Sequence, residues 1–196
     1  LSWIETYTGK KFYPLDPSQE DVCIEDIAHA LSNICRFNGH TKFFYPVSAH
    51  CVNLAYLVEA HNFNEQFQLF ALLHDAAEAY ICDFPAPVKV YDGKYKMMEV
   101  EILSTIFKKF NIPNMNLSEK AIINYFDKAL LRLEAETLKN CTDGWEKKFP
   151  KINKELIKSK FDFDYEMKEQ KCYSSQHFKR LYLNFFTELN NNLLRR

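Results

Sequence analysis

Glycine is scarce in this chain, with 4 residues in 196, and no short repeat is visible. With 47% hydrophobic residues beside it, that scarcity excludes a collagen-like, linker-rich or disordered chain. Long apolar runs are missing too. No stretch approaches the roughly 18 residues that a membrane span needs, and residues 1–20 carry no signal-peptide core. Charge of one sign is also lacking. The formal net charge is −1, and the basic runs Lys94–Lys96, Lys108–Lys109 and Lys147–Lys148 are dispersed, so no basic field marks a nucleic-acid binder. The six cysteines (Cys23, Cys35, Cys51, Cys82, Cys141, Cys172) form no C-x-x-C pair and no tight framework, the usage of reduced thiols. These absences lead us to expect a soluble, cytoplasmic protein with neither nucleic acid nor membrane as partner. Residues 1–196 fit one domain with a sizeable core.

What the chain does contain is helical periodicity. Ile24, Ile27, Leu31 and Ile34 predict a helix over 24–36. Pro46 at a first helical position opens one over 46–60, with Val47, His50, Cys51, Leu54, Leu57 and Val58 on its buried side. Further helices are predicted over 65–80, 94–110 and 175–193. Another spans 118–140 with Ser118 as N-cap, and a shorter one falls around 151–158. Turn formers across 6–20 suggest a short hairpin or arm. Pro85 and Pro87 predict an extended path over 83–89. The fold class is all-α, a single helical bundle.

Within these helices, four residues stand where a plain core wants apolar side chains: His50, His74, Asp75 and Asp127. Each alone has an ordinary explanation, a hydrogen-bonded core histidine or a surface carboxylate. Together, two imidazoles and two carboxylates from three helices suit a divalent ion such as Zn, Mn, Co, Ni, Fe or Mg. On a continuous helix Glu78, four residues after His74, shares its face. Burying such groups unpaired is costly, and a bound cation is a natural partner.

The order His…His-Asp…Asp resembles the HD-domain metal-dependent phosphohydrolases. Residues 24–50, from Ile24-Glu25-Asp26-Ile27-Ala28-His29 through Cys35-Arg36-Phe37-Asn38-Gly39-His40-Thr41 to Tyr45-Pro46-Val47-Ser48-Ala49-His50, look like the phage-type, DatZ-like dATP triphosphohydrolases. His74-Asp75-x-x-Glu78-x4-Asp83-x-Pro85-x-Pro87-Val88-Lys89 is similar both to these and to the YfbR-type 5′-deoxynucleotidases. The similarity covers roughly residues 3–135, with the motifs inside a core of about 24–135.

The resemblance implies His50, His74, Asp75 and Asp127 as metal ligands. Glu78 would position or deprotonate the attacking water, or protonate the leaving group. Arg36 and Lys89 would grip phosphate, although by themselves they read as a helix-end arginine and a loop lysine. Phe37 would stack on a base, beside Asn38 and Gly39, with Gly39 leaving space at the base edge. Asp83 would act close to the sugar. The implied reaction is metal-dependent hydrolysis of a deoxynucleotide, dATP to deoxyadenosine and triphosphate. The alternatives are release of phosphate from deoxynucleoside monophosphates and a nucleotide sensor without turnover. The resemblance also implies a homo-oligomer, a dimer or hexamer, and the aromatic residues Phe178, Tyr182, Phe185 and Phe186 are more than one monomer face needs.

Overall fold

The periodic segments do become helices: the fold is all-α, and among the described residues 63% are helical and the one sheet has two strands. The structure, a computed structural model, describes residues 2–89, 91, 93–153 and 174–195. A hairpin opens it. Strand β1 (Ile4–Glu5) pairs antiparallel with β2 (Lys11–Phe12) around a turn in which Gly9 takes φ 82°. Phe12 is fully buried and stacks on Tyr80 at 3.7 Å, so the hairpin is anchored on the core.

Helices α1 (Ile24–Asn33), α2 (Val47–Ala60), α3 (Glu65–Leu73), α4 (Glu78–Ile81), α5 (Ala86–Lys89), α6 (Gly93–Lys109), α7 (Leu117–Leu138), α8 (Trp145–Lys148) and α9 (Ser175–Leu194) follow. α2 is buried nearly all round, from Val47 through Ala55, and packs against α1, α3, α7 and α9. A helix apolar on every side sits inside its domain. His50 is therefore carried into the middle of the protein, and its polar atoms need partners there.

Several local expectations are corrected. The predicted helix over 65–80 is broken. After α3, residues 74–77 tighten into i→i+3 bonds: Ala76 N–H to Leu73 O (2.9 Å), Glu78 N–H to Asp75 O (2.9 Å) and Tyr80 N–H to Ala77 O (3.0 Å). The path over 83–89 is not wholly extended. It ends in α5, whose first turn tolerates Pro87, since proline lacks only an N–H that is unbonded there. Pro46 caps α2 rather than starting it. The N-cap of α7 is Asn116, not Ser118: Asn116 Oδ1 accepts from Glu119 N–H (3.0 Å) while Glu119 Oε2 accepts from Asn116 N–H (2.7 Å). Residues 151–153 are not helical; the rest of the helix expected around 151–158, and Cys172, lie outside the described residues.

The aromatic face of the last helix is absorbed by the chain's own core. Phe178, Tyr182, Phe185 and Phe186 are all buried, because α9 lies across α1, α2 and α3. Tyr182 O–H donates to Leu72 O at 3.0 Å, satisfying a carbonyl at the end of α3 that lacks a helical partner.

Candidate metal centre

Three local features bring the polar residues together. Residues 34–36 pair with 45–47 (Arg36 N–H to Tyr45 O, 2.9 Å; Val47 N–H to Ile34 O, 3.0 Å), which sets Arg36 beside the start of α2. His74 and Asp75 stand where α3 gives way to the tight turn. Asp127 projects from the middle of α7, which packs on both α2 and α3.

The imidazoles show how the centre is set. His74 Nδ1 lies 2.7 Å from Ala71 O. A carbonyl only accepts, so Nδ1 carries a proton, and in the neutral ring that a metal binds Nε2 presents the lone pair. His50 Nδ1 lies 2.7 Å from Glu134 Oε1. The same logic against an ionised carboxylate leaves its Nε2 with a lone pair. The two Nε2 atoms then face each other at 3.2 Å. Asp75 Oδ2 is 3.0 Å from His74 Nε2 and 3.8 Å from His50 Nε2, and Asp127 Oδ1 is 3.2 Å from His50 Nε2.

This donor set fits a divalent metal. Two nitrogens, each about 2.0–2.1 Å from a tetrahedral zinc, lie about 3.3 Å apart, close to the 3.2 Å found. Ligand atoms of His50, His74 and Asp75 all fall within 4.8 Å of one another, and Asp127 adjoins through His50. Converging lone pairs and carboxylate oxygens repel unless a cation lies among them. The acid–base balance shows the same demand. Burial disfavours charge on His74, yet Asp75 outweighs it and holds the imidazole well above its usual range. For His50, burial and Arg36 oppose the charge, while Glu134 and Asp127 carry its pKa upward. Burial acts against the Asp75 carboxylate, but His74, His50 and Arg36 hold it well below the usual range.

Behind the imidazoles lies a buried network that the sequence reading did not single out. Glu134, fully buried, accepts from His50 Nδ1–H and, through the same Oε1, from Tyr45 O–H (2.9 Å). Asn53 Nδ2–H donates to the Tyr45 oxygen at 2.9 Å. Arg36, 8% exposed, brings Nε to 3.2 Å from Glu134 Oε2 and Nη1 to 3.6 Å from Asp75 Oδ2. The Nε contact is an ion pair without hydrogen-bond alignment. Glu134 follows Asp127 by seven residues, two helical turns; that spacing was the available signal.

Glu78 is 2% exposed and accepts from Lys89 Nζ at 2.8 Å, while Lys89 also reaches Glu99 at 3.0 Å. Among the described residues its other oxygen, Oε2, has no hydrogen-bond partner. Burial first, then Asp75 and Asp83, push the carboxyl well above its usual range, against the pull of Lys89. The tight turn changes its expected relation to His74. At three residues per turn, four residues rotate about 120° rather than about 40°, so Glu78 aligns with Asp75, three residues before it. Asp83 is half-buried, with its pKa raised by burial against the opposing charge of Arg36.

Beyond Arg36 the backbone turns left-handed for three residues: Phe37 (φ 56°), Asn38 (φ 52°) and Gly39 (φ 76°). For a phenylalanine this region is strained. The turn is held to the end of α7 by Lys42 N–H to Leu138 O (2.9 Å) and Lys139 Nζ to His40 O (3.2 Å). The Phe37 ring lies 6.4 Å from Trp145, with Lys139 Nζ 4.8 Å over its face. Asn38 and Gly39 are exposed. The structure thus gathers His50, His74, Asp75, Asp127 and Arg36, and sets Glu78 with Lys89 beside Asp75.

Among proteins of known sequence, YfdR of Escherichia coli K12, described as uncharacterized, is 40% identical over 138 residues, 70% of this chain and 73% of its own. The chain belongs to the YfdR family. An uncharacterized protein of Rhodobacter capsulatus is 34% identical to this YfdR-family chain over 143 residues, covering 70% of it and 73% of the relative. No family model matches. Among the described residues, no helix of this YfdR-family protein is long and apolar enough to cross a membrane.

Proposed function

We propose that this chain is a metal-dependent phosphohydrolase of the HD type that hydrolyses a deoxynucleotide, dATP first, to deoxyadenosine and triphosphate. The observation that carries the reading is the pair of histidine Nε2 atoms at 3.2 Å, each ring held through Nδ1 by an acceptor and the pair flanked by two carboxylates. His50, His74, Asp75 and Asp127 would hold the metal, which would supply Lewis acidity toward a phosphoryl oxygen and toward water.

The remaining work falls to the chain's own groups. Arg36, held by Glu134, presents a fixed guanidinium beside Asp75 for charge that grows on the phosphate oxygens. Glu78, whose burial raises its pKa above the ordinary carboxylate range, is suited to act as the proton-transfer group. It takes the proton of the attacking water as oxygen bonds to phosphorus. The P–O bond to the sugar 5′-oxygen breaks as Glu78 passes that same proton to the leaving oxygen, which restores its carboxylate. Lys89 keeps Glu78 in place. Phe37 offers an aromatic face for a base.

One observation favours the second reading, a 5′-deoxynucleotidase. Both cations assigned to phosphate are already paired with carboxylates, Arg36 with Glu134 and Asp75 and Lys89 with Glu78 and Glu99. A monophosphate asks less of them than a triphosphate chain. Phosphorus NMR of dATP with protein and Mn or Co separates the two. Deoxyadenosine with intact triphosphate, and no dADP or dAMP, is the expected result. Orthophosphate from dAMP with dATP untouched supports the second reading. Nucleotide binding without turnover under any metal identifies a sensor and overturns both.

A further inference from the structure

Both ring nitrogens of His50 are bracketed by acids from one helix face. Asp127 Oδ1 stands 3.2 Å from Nε2, and Glu134, two turns further along α7, stands 2.7 Å from Nδ1. Glu134 also receives Tyr45 O–H from the segment before α2 and faces Arg36 Nε from the turn after α1. Groups from three parts of the chain thus converge on one fully buried carboxylate of a fourth. An ionised carboxylate buried to this degree persists only when surrounded by donors.

We propose that Glu134 is the positioning residue of the centre: it fixes the tautomer of His50 and the place of Arg36 together, so that metal affinity and anion affinity both depend on it. The inference rests on the metal-centre reading above. A carboxylate offers acceptor oxygens on both sides, one for the His50 and Tyr45 donors and one for Arg36. A glutamine has one acceptor oxygen and an N–H₂ group. Glu134→Gln therefore keeps the volume but turns a donor toward either Arg36 or His50. One of them must lose its place, and a hydrogen bond that orients a histidine ligand is worth about 10- to 100-fold in metal affinity.

The test titrates metal-free protein with Zn by chelator competition, then titrates the Zn-loaded protein with inorganic phosphate, for wild type, Glu134→Gln and Tyr45→Phe. Glu134→Gln is expected to weaken Zn binding about 10- to 100-fold and phosphate binding as well. Tyr45→Phe, which removes one donor and leaves the His50 bond and the Arg36 ion pair in place, is expected to stay within about threefold. Nitrogen-15 NMR of the Zn-loaded wild type reads the tautomer without any substitution, and a proton on His50 Nδ1 is expected. Zn affinity unchanged in a folded Glu134→Gln overturns the role of Glu134 while the metal centre stands, whereas a proton on His50 Nε2 takes that nitrogen off the metal and overturns both. Wild-type protein that binds no metal overturns both.

Discussion

Replacing Glu78 with glutamine is expected to slow turnover and, in the metal-free protein, to raise stability. The carboxylate is 2% exposed, and the effective penalty for burying such an ion is several kcal/mol. Against it stands one charge-assisted bond from Lys89 at 2.8 Å, about 1.5–3 kcal/mol, while the unpartnered Oε2 adds about 1–3 kcal/mol of cost. Glutamine keeps a weaker bond to Lys89 and removes the charge, and Lys89 retains Glu99 at 3.0 Å. The balance favours the variant by on the order of 1 kcal/mol, or roughly 2–4 °C in Tm for a chain of this size. The pH dependence has a definite sign. The folded pKa of Glu78 is raised, so the penalty is absent below its ordinary value of about 4.3, grows as pH rises from there toward the folded pKa, and levels off above it. Melting curves of wild type and variant, recorded in chelator, should coincide in acid and separate toward neutral pH. With metal restored, the variant should lose about two to four decades in kcat, or about 2.7–5.4 kcal/mol of barrier. Near-normal turnover with full metal, or a lower Tm at neutral pH, refutes the reasoning.

Arg36→Ala should lower kcat/KM more than Lys89→Ala, by about tenfold or more, because a forked guanidinium fixes geometry as well as charge; steady-state kinetics on both variants reads this. Lys89→Ala should also move the acid limb of the pH–rate profile upward, since Lys89 pulls the Glu78 pKa down. Tyr182→Phe should destabilise the fold by about 1 kcal/mol through the lost bond to Leu72 O, which a thermal melt detects.

The four residues at the centre were legible because histidine and aspartate stand out by type at core positions. Glu134 was not, since a glutamate near the end of a helix reads as solvent-facing unless its seven-residue spacing from Asp127 is noticed. The tight turn over 74–77 carries no proline or glycine to announce it; it forms where α3 ends and the turn settles Asp75 among the imidazoles. Asn38-Gly39 hints at a left-handed turn, but nothing local forces Phe37 into it; contacts 95 or more residues away, at the end of α7, hold that loop. The aromatic face of α9 was legible as apolar, whereas its partners, α1, α2 and α3, are far off in sequence.

The centre itself is tested most directly by metal content. Protein stripped with chelator, reloaded with Zn or Mn and passed over a desalting column should carry one equivalent by elemental analysis. The folded His74→Ala, Asp75→Ala double variant should carry almost none, because it removes the ligand atoms closest to His50 Nε2 on the α3 side. Full stoichiometry in the double variant contradicts the account.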